Sequence, residues 1–179
     1  MFARRRWCVV VFVILIGVPC ALAAQQQSQE ICATAIPANV DAGVFRHDMI
    51  VLLRRSDTFR SQCERLARAP RVHVKIAIVS DLDSGRAQSA IHRFESGAIH
   101  ADVFLLFGEN YRELLAHEFE HVLEQVEGVD LRQEVAQGRA WLLPGGAFET
   151  RRAFETGVQV LREVEPLRTH AAATVPATR

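Results

Sequence analysis

His117-Glu118-Phe119-Glu120-His121 sets two imidazoles four residues apart, with a carboxylate directly after the first. On a helix, four residues are about one turn, or about 6 Å of rise, and a single zinc ion can be held between the two rings. Glu118 is turned about 100° from His117, so it lies beside such an ion rather than on it. A carboxylate in that place is suited to take a proton from a water that the metal has made acidic.

This chemistry depends on the segment being helical, and its surroundings predict that it is. Asn110 is a good N-cap, and Glu113 three residues later completes a capping box. Tyr111 to Glu127 contains no Gly or Pro, and Gly128 stands where a C-terminal glycine belongs. With Tyr111 as zero, Tyr111, Leu115, Phe119, Val122 and Val126 fall within roughly 80° and form a core stripe. His117 and His121, at roughly 240° and 280°, point together into another space.

A catalytic zinc site needs a third protein ligand and one open position. Glu127 has the spacing of the third histidine of metzincins, but that layout needs a glycine at position 123, where this chain has Leu123. Glu124 shares the histidine face, yet lies about 10 Å of rise from His117. Asp130 ranks second, because just after Gly128 it reads as the N-cap of a short helix, Leu131 to Gln137. Glu149 ranks first. It opens a helical segment, Ala147 to Glu165, that follows the breaker Pro144-Gly145-Gly146. On that helix Glu149 falls in the apolar face formed by Ala153, Phe154, Gly157, Val158, Val160, Leu161 and Val164, whereas Glu155 falls among Arg151, Arg152, Gln159 and Arg162. A carboxylate on a core-facing stripe is costly unless it is paired or bound to a metal.

With HExxH on one helix and a glutamate on the next, the stretch from about Val72 to Glu165 resembles the zincin metallopeptidases of the gluzincin type. The resemblance implies an α+β fold, a single zincin-like domain with a small mixed or antiparallel sheet. It implies Zn2+ held by His117, His121 and Glu149, a protein or peptide substrate, and hydrolysis of a peptide bond. Zinc would polarise the carbonyl and acidify its water, and Glu118 would pass the proton to the leaving amine. Two features depart from gluzincins such as thermolysin. Ala153 stands where they carry a carboxylate four residues after the ligand, so the partner that orients a histidine ring must come from elsewhere. Their oxyanion-stabilising His or Tyr is matched only by His170, in the tail, and Tyr111, on the core face; Arg151 and Arg152 are candidates for that role, which the sequence leaves open.

Upstream, Val72 to Val79 alternates and is rich in β-branched residues, as a strand should be. Ser80 to Gly85 is a turn, and Ala87 to Phe94 with Ile99 to Phe107 forms a hairpin across Ser96-Gly97. In zincins the strand shortly before the metal helix borders the cleft and pairs with extended substrate, so one arm of this hairpin is the expected substrate rail. His73, His92 and His100 lie on these strands and are expected to face solvent or make core hydrogen bonds rather than bind the metal. Ala42 to Arg54 reads as a helix with His47 on its surface, and Asp57 as the cap of a second, Thr58 to Ala69, stopped by Pro70.

Arg4-Arg5-Arg6, the apolar run Trp7 to Val18 and Ala21-Leu22-Ala23 read as a secretory signal peptide over residues 1–23. Extended to Ala24 the apolar span reaches roughly 18 residues, so an uncleaved membrane anchor is the competing reading. Cleavage implies export, to a periplasm or the medium. The remaining chain suits one domain, with a flexible segment 24–40, a folded domain 41–165 and a disordered tail 166–179.

The chain as a whole carries 21 basic and 21 acidic residues and no basic patch that would suggest nucleic acid. Cys8 and Cys20 leave with the signal, and Cys32 and Cys63 remain as a possible bridge in an oxidising compartment. These residues also allow a reading from another class: a non-catalytic exported binding domain with structural zinc or no metal.

Overall fold

The computed structural model describes residues 35–82 and 85–165. The expected signal peptide over residues 1–23, Cys32 and the expected tail from residue 166 lie outside the described residues. The protein is a mixed α+β structure, in which one four-stranded sheet has the order β1-β2-β4-β3. Its strands are β1 (Val40–Asp41), β2 (Val72–Val79), β3 (Ala87–Arg93) and β4 (Ile99–Leu106). β1, β2 and β4 run parallel, and β3 returns antiparallel to β4 at the sheet's edge.

Alternation assigns the two faces of the sheet. Val72, Val74 and Ile76 of β2 and Ile99, Ala101, Val103 and Leu105 of β4 are buried in the core, and their neighbours turn the other way. Five α-helices follow the chain among the described residues: α1 (Arg46–Arg55), α2 (Asp57–Ala67), α3 (Tyr111–Val126), α4 (Leu131–Ala136) and α5 (Arg151–Val164). Met49, Leu52 and Leu53 of α1 and Phe59 and Leu66 of α2 are fully buried, each side chain contributing about 1.5–3 kcal/mol. Phe59 stacks on Phe119 of α3 with ring centroids 5.5 Å apart. Among the described residues no helix is long and apolar enough to cross a membrane.

α3 is the central helix. The stripe of Leu115, Phe119 and Val122 is buried, but so are Leu114, Ala116, Leu123 and three carboxylates, Glu118, Glu120 and Glu124. Helical periodicity anticipated one core face; α2 and α5 cover two more. Glu120 is 2% exposed and lies in this junction, where Gln62 donates to it at 2.7 Å and Arg65 and Arg152 form ion pairs with it at 3.2 and 2.5 Å. α5 reaches α3 through Gly157, where an added Cβ would lie 3.1 Å from the Glu113 carbonyl oxygen and 3.2 Å from His117 Cβ.

Several elements differ from the sequence reading. The first helix begins as a 3-10 turn, Gly43–Phe45, before α1. Ser56, not Asp57, caps α2, its hydroxyl accepting from Phe59 N at 2.9 Å. Of the segment 24–40 expected to be flexible, residues 35–40 are described, and there Asn39 donates its amide to the carbonyls of Leu66 and Val72 at 2.9 Å, and Val40 pairs with Val74.

The largest correction concerns Ala147 to Glu165. Phe148–Thr150 is a short strand, β6, paired antiparallel with β5 (Ala140–Leu142), and the helix starts only at Arg151. Thr150 stops the helix from extending backwards. It is extended (φ −120°, ψ 147°), and its hydroxyl caps the helix by accepting from Ala153 N at 3.0 Å. Phe154, placed in the apolar face by periodicity, is 55% exposed.

Candidate metal centre

His117 and His121 project from the middle of α3 with ring centroids 4.9 Å apart and planes at 77°. Glu149 meets them from β6 rather than from a helix. Its Oε2 lies 3.2 Å from His117 Nε2 and its Oε1 3.8 Å from His121 Nε2. One ligand atom from each of the three residues lies within 4.8 Å of the others. Two imidazole nitrogens and a carboxylate oxygen are the donor set of a catalytic zinc site, so the residues present fit that ion.

Asp130, the second choice, is not part of this group. Its Oδ1 caps α4, accepting from Arg132 N and Gln133 N at 3.0 and 3.2 Å. Glu127 turns the other way and forms ion pairs with Arg65 and Arg152.

Glu124 fills the gap that Ala153 leaves. It is 2% exposed, and its Oε2 lies 3.1 Å from His121 Nδ1 while its Oε1 accepts from the Thr150 hydroxyl at 2.7 Å. The carboxylate that orients a histidine therefore comes from α3, one turn beyond the second histidine. The sequence signal was present: Glu124 shares the histidine face, and seven residues from His117 is too far for a ligand but right for a partner of His121 behind its ring.

Glu118 is 3% exposed, and Ser89 of β3 donates to its Oε2 at 2.6 Å. Burial raises the Glu118 pKa from its ordinary value, partly offset by His121, His117 and the Ser89 hydrogen bond. For His121, burial alone would lower the pKa, but the Glu124 hydrogen bond and the negative charges of Glu118, Glu124 and Glu149 raise it. Burial would likewise raise Glu149, yet its hydrogen bond to His117 and the two imidazoles hold it low.

The three ligand-type residues and Glu118 line a cleft of about 700 Å³. β3 forms one wall, with Gln88 and Ser89, and the loop and strand around Leu143, Ala147 and Phe148 form another. Neither Arg151 nor Arg152, the cations suggested for an oxyanion, lines it, and Arg152 is held by Glu120 and Glu127. Tyr111 is also elsewhere, its ring 5.0 Å from Phe45 and its hydroxyl accepting from Gly108 N. The arginine that does reach the cleft is Arg86, 3.4 Å from Glu113 and 3.6 Å from Glu109. Comparison of the chain with models of known protein families, with curated proteins and with solved structures finds no match.

Proposed function

We propose that the protein is an exported, zinc-dependent hydrolase of peptide bonds with a zincin-like layout, in which His117, His121 and Glu149 hold the ion. The observation that carries this reading is the meeting of Glu149 with both histidines, from an element far along the chain. A bound zinc ion there supplies Lewis acidity, which polarises a carbonyl and lowers the pKa of water. Glu118 accepts a proton on its carboxylate and returns it to the leaving amine. Ser89 fixes the carboxylate by one oxygen, Oε2, and Oε1 is the one left for the proton.

β3 supports a peptide substrate in particular. It is an edge strand along the cleft, with one hydrogen-bonding side unpaired in the sheet, so an extended chain can add to it. Export rests on the signal-like residues 1–23.

The test is zinc content of the purified protein beside His117→Ala, Glu149→Ala and Glu118→Gln, with proteolysis assayed on an unfolded protein substrate. About one zinc per chain is expected in the wild type and in Glu118→Gln and a loss in the other two, with Glu118→Gln slowed by about 10²–10⁴. No zinc in the wild type after supplementation sinks the proposal. Zinc bound, with no hydrolysis that Glu118→Gln abolishes, leaves a non-catalytic binding domain.

A further inference from the structure

Of the seven histidines, two belong to the cleft, and three more are aligned by the sheet. His73 of β2 stands directly opposite His100 of β4, and His100 directly opposite His92 of β3. Residues paired in this way point to the same side of the sheet. All three are exposed, while the flanking Val72, Val74, Ile99 and Ala101 are buried on the opposite face. The row therefore lies on the open face, with the sheet between it and the core.

We propose a second metal site, in which His73 and His100 together bind one divalent ion of the copper, nickel or zinc type. Their ring centroids are 5.6 Å apart, with planes inclined at 54°. A ring nitrogen sits about 1.2 Å from the ring centre, so nitrogens turned toward each other at this separation can come within about 3.2 Å; two nitrogens about 2.1 Å from one ion at about 100° are separated by the same distance. Imidazole favours these ions over magnesium or calcium, and among them copper(II) binds most tightly. Water completes the coordination at an exposed position.

His92 is not a ligand to the same ion. Strands are about 4.8 Å apart, so His73 and His92 are about 9.6 Å apart at the backbone with His100 between them, and the close ring pair is His73 with His100. His100 must pair with one neighbour, and Phe94 packs edge-on against it at 5.1 Å, covering one flank of the ring. His73 faces the ring across the adjacent strand.

The test is titration with Cu2+ in the full chain carrying His117→Ala, which disables the cleft site, followed by visible absorption and nitrogen hyperfine coupling. One ion per chain with two coordinated nitrogens is expected at roughly micromolar affinity. His100→Asn and His73→Asn each weaken binding at least about tenfold, and His92→Asn changes it less than about twofold. All are surface positions, so an unchanged thermal midpoint verifies folding. Unchanged titration of His100→Asn and His73→Asn overturns the site, and so does an equal loss in His92→Asn. Because the parent already lacks His117, the outcome does not depend on the cleft holding zinc.

Discussion

Thr150 donates its hydroxyl to Glu124 at 2.7 Å, and Glu124 in turn holds His121 at 3.1 Å. The residue directly after Glu149 is thus bonded to the residue that holds His121, which ties the two halves of the candidate metal centre together. Thr150 also caps α5, so the helix start, Glu149 and His121 share one set of hydrogen bonds.

Glu124→Ala should therefore weaken zinc binding about 10–100-fold while His117, His121 and Glu149 remain in place. Thr150→Val should weaken it less and lower stability by about 1 kcal/mol through the lost cap. A chelator competition and a thermal melt measure the two effects. Unchanged zinc affinity in Glu124→Ala would show that the ring needs no such partner.

Gly157→Ala should push α5 off α3, because its Cβ would meet the Glu113 carbonyl and His117 Cβ at 3.1 and 3.2 Å. Overpacking of this kind costs about 1–3 kcal/mol. As His117 is one of the atoms in the way, zinc affinity should fall together with the urea midpoint.

Glu120 and Glu118 are neighbours on α3 in different roles. Glu120→Ala removes the buried acceptor shared by Gln62, Arg65 and Arg152, while Glu127 still pairs the two arginines, and should destabilise by about 1–3 kcal/mol. Glu118→Gln keeps a group able to accept from Ser89 and should shift the urea midpoint little. Similar losses in both would mean that the two carboxylates are equally structural.

Cys63 is 3% exposed, and burial, with a smaller contribution from Glu64, pushes its thiol up to about 12. In reduced native protein at pH 8 it should resist alkylation, as read by peptide mass mapping, and label only on denaturation. Its folded pKa lies above the unfolded value of 9.0, so its contribution to stability is complete below pH 9 and is lost as the pH rises towards 12. Labelling in native protein at the rate of a free thiol would contradict this environment.

Glu163 reaches from α5 to the start of α2, accepting from the hydroxyls of Ser56 and Thr58. Burial would raise its pKa, but hydrogen bonds from Ser56, Gln159 and Thr58 hold it below 4.5. Its stabilising effect is present above that pH and is lost as the pH falls through the depressed value. The urea midpoint of the wild type should approach that of Glu163→Ala in acid and exceed it at pH 7.

Much of the fold was legible locally. Alternation placed the strand Val72 to Val79 with its observed ends, and Asn110 and Gly128 bracketed α3. The reading failed where a contact distant in sequence decides. β5 and β6 are only three residues each and exist because they pair with each other, and periodicity over Ala147 to Glu165 could not see that Thr150 would stop the helix. Glu149 was named for a helical face that it does not occupy; its neighbourhood in the chain was right and its element was not.

The sequence by itself determined that His117 and His121 share one side of a helix with Glu118 beside them, because helical geometry depends only on spacing and caps. Tertiary structure decided everything that crosses between elements: Glu149 opposite the histidines, Glu124 behind His121, Ser89 on Glu118, and His73 in register with His100. Those relations depend on strand register and on how closely α5 approaches α3 at Gly157, and neither is encoded in any single window of the chain.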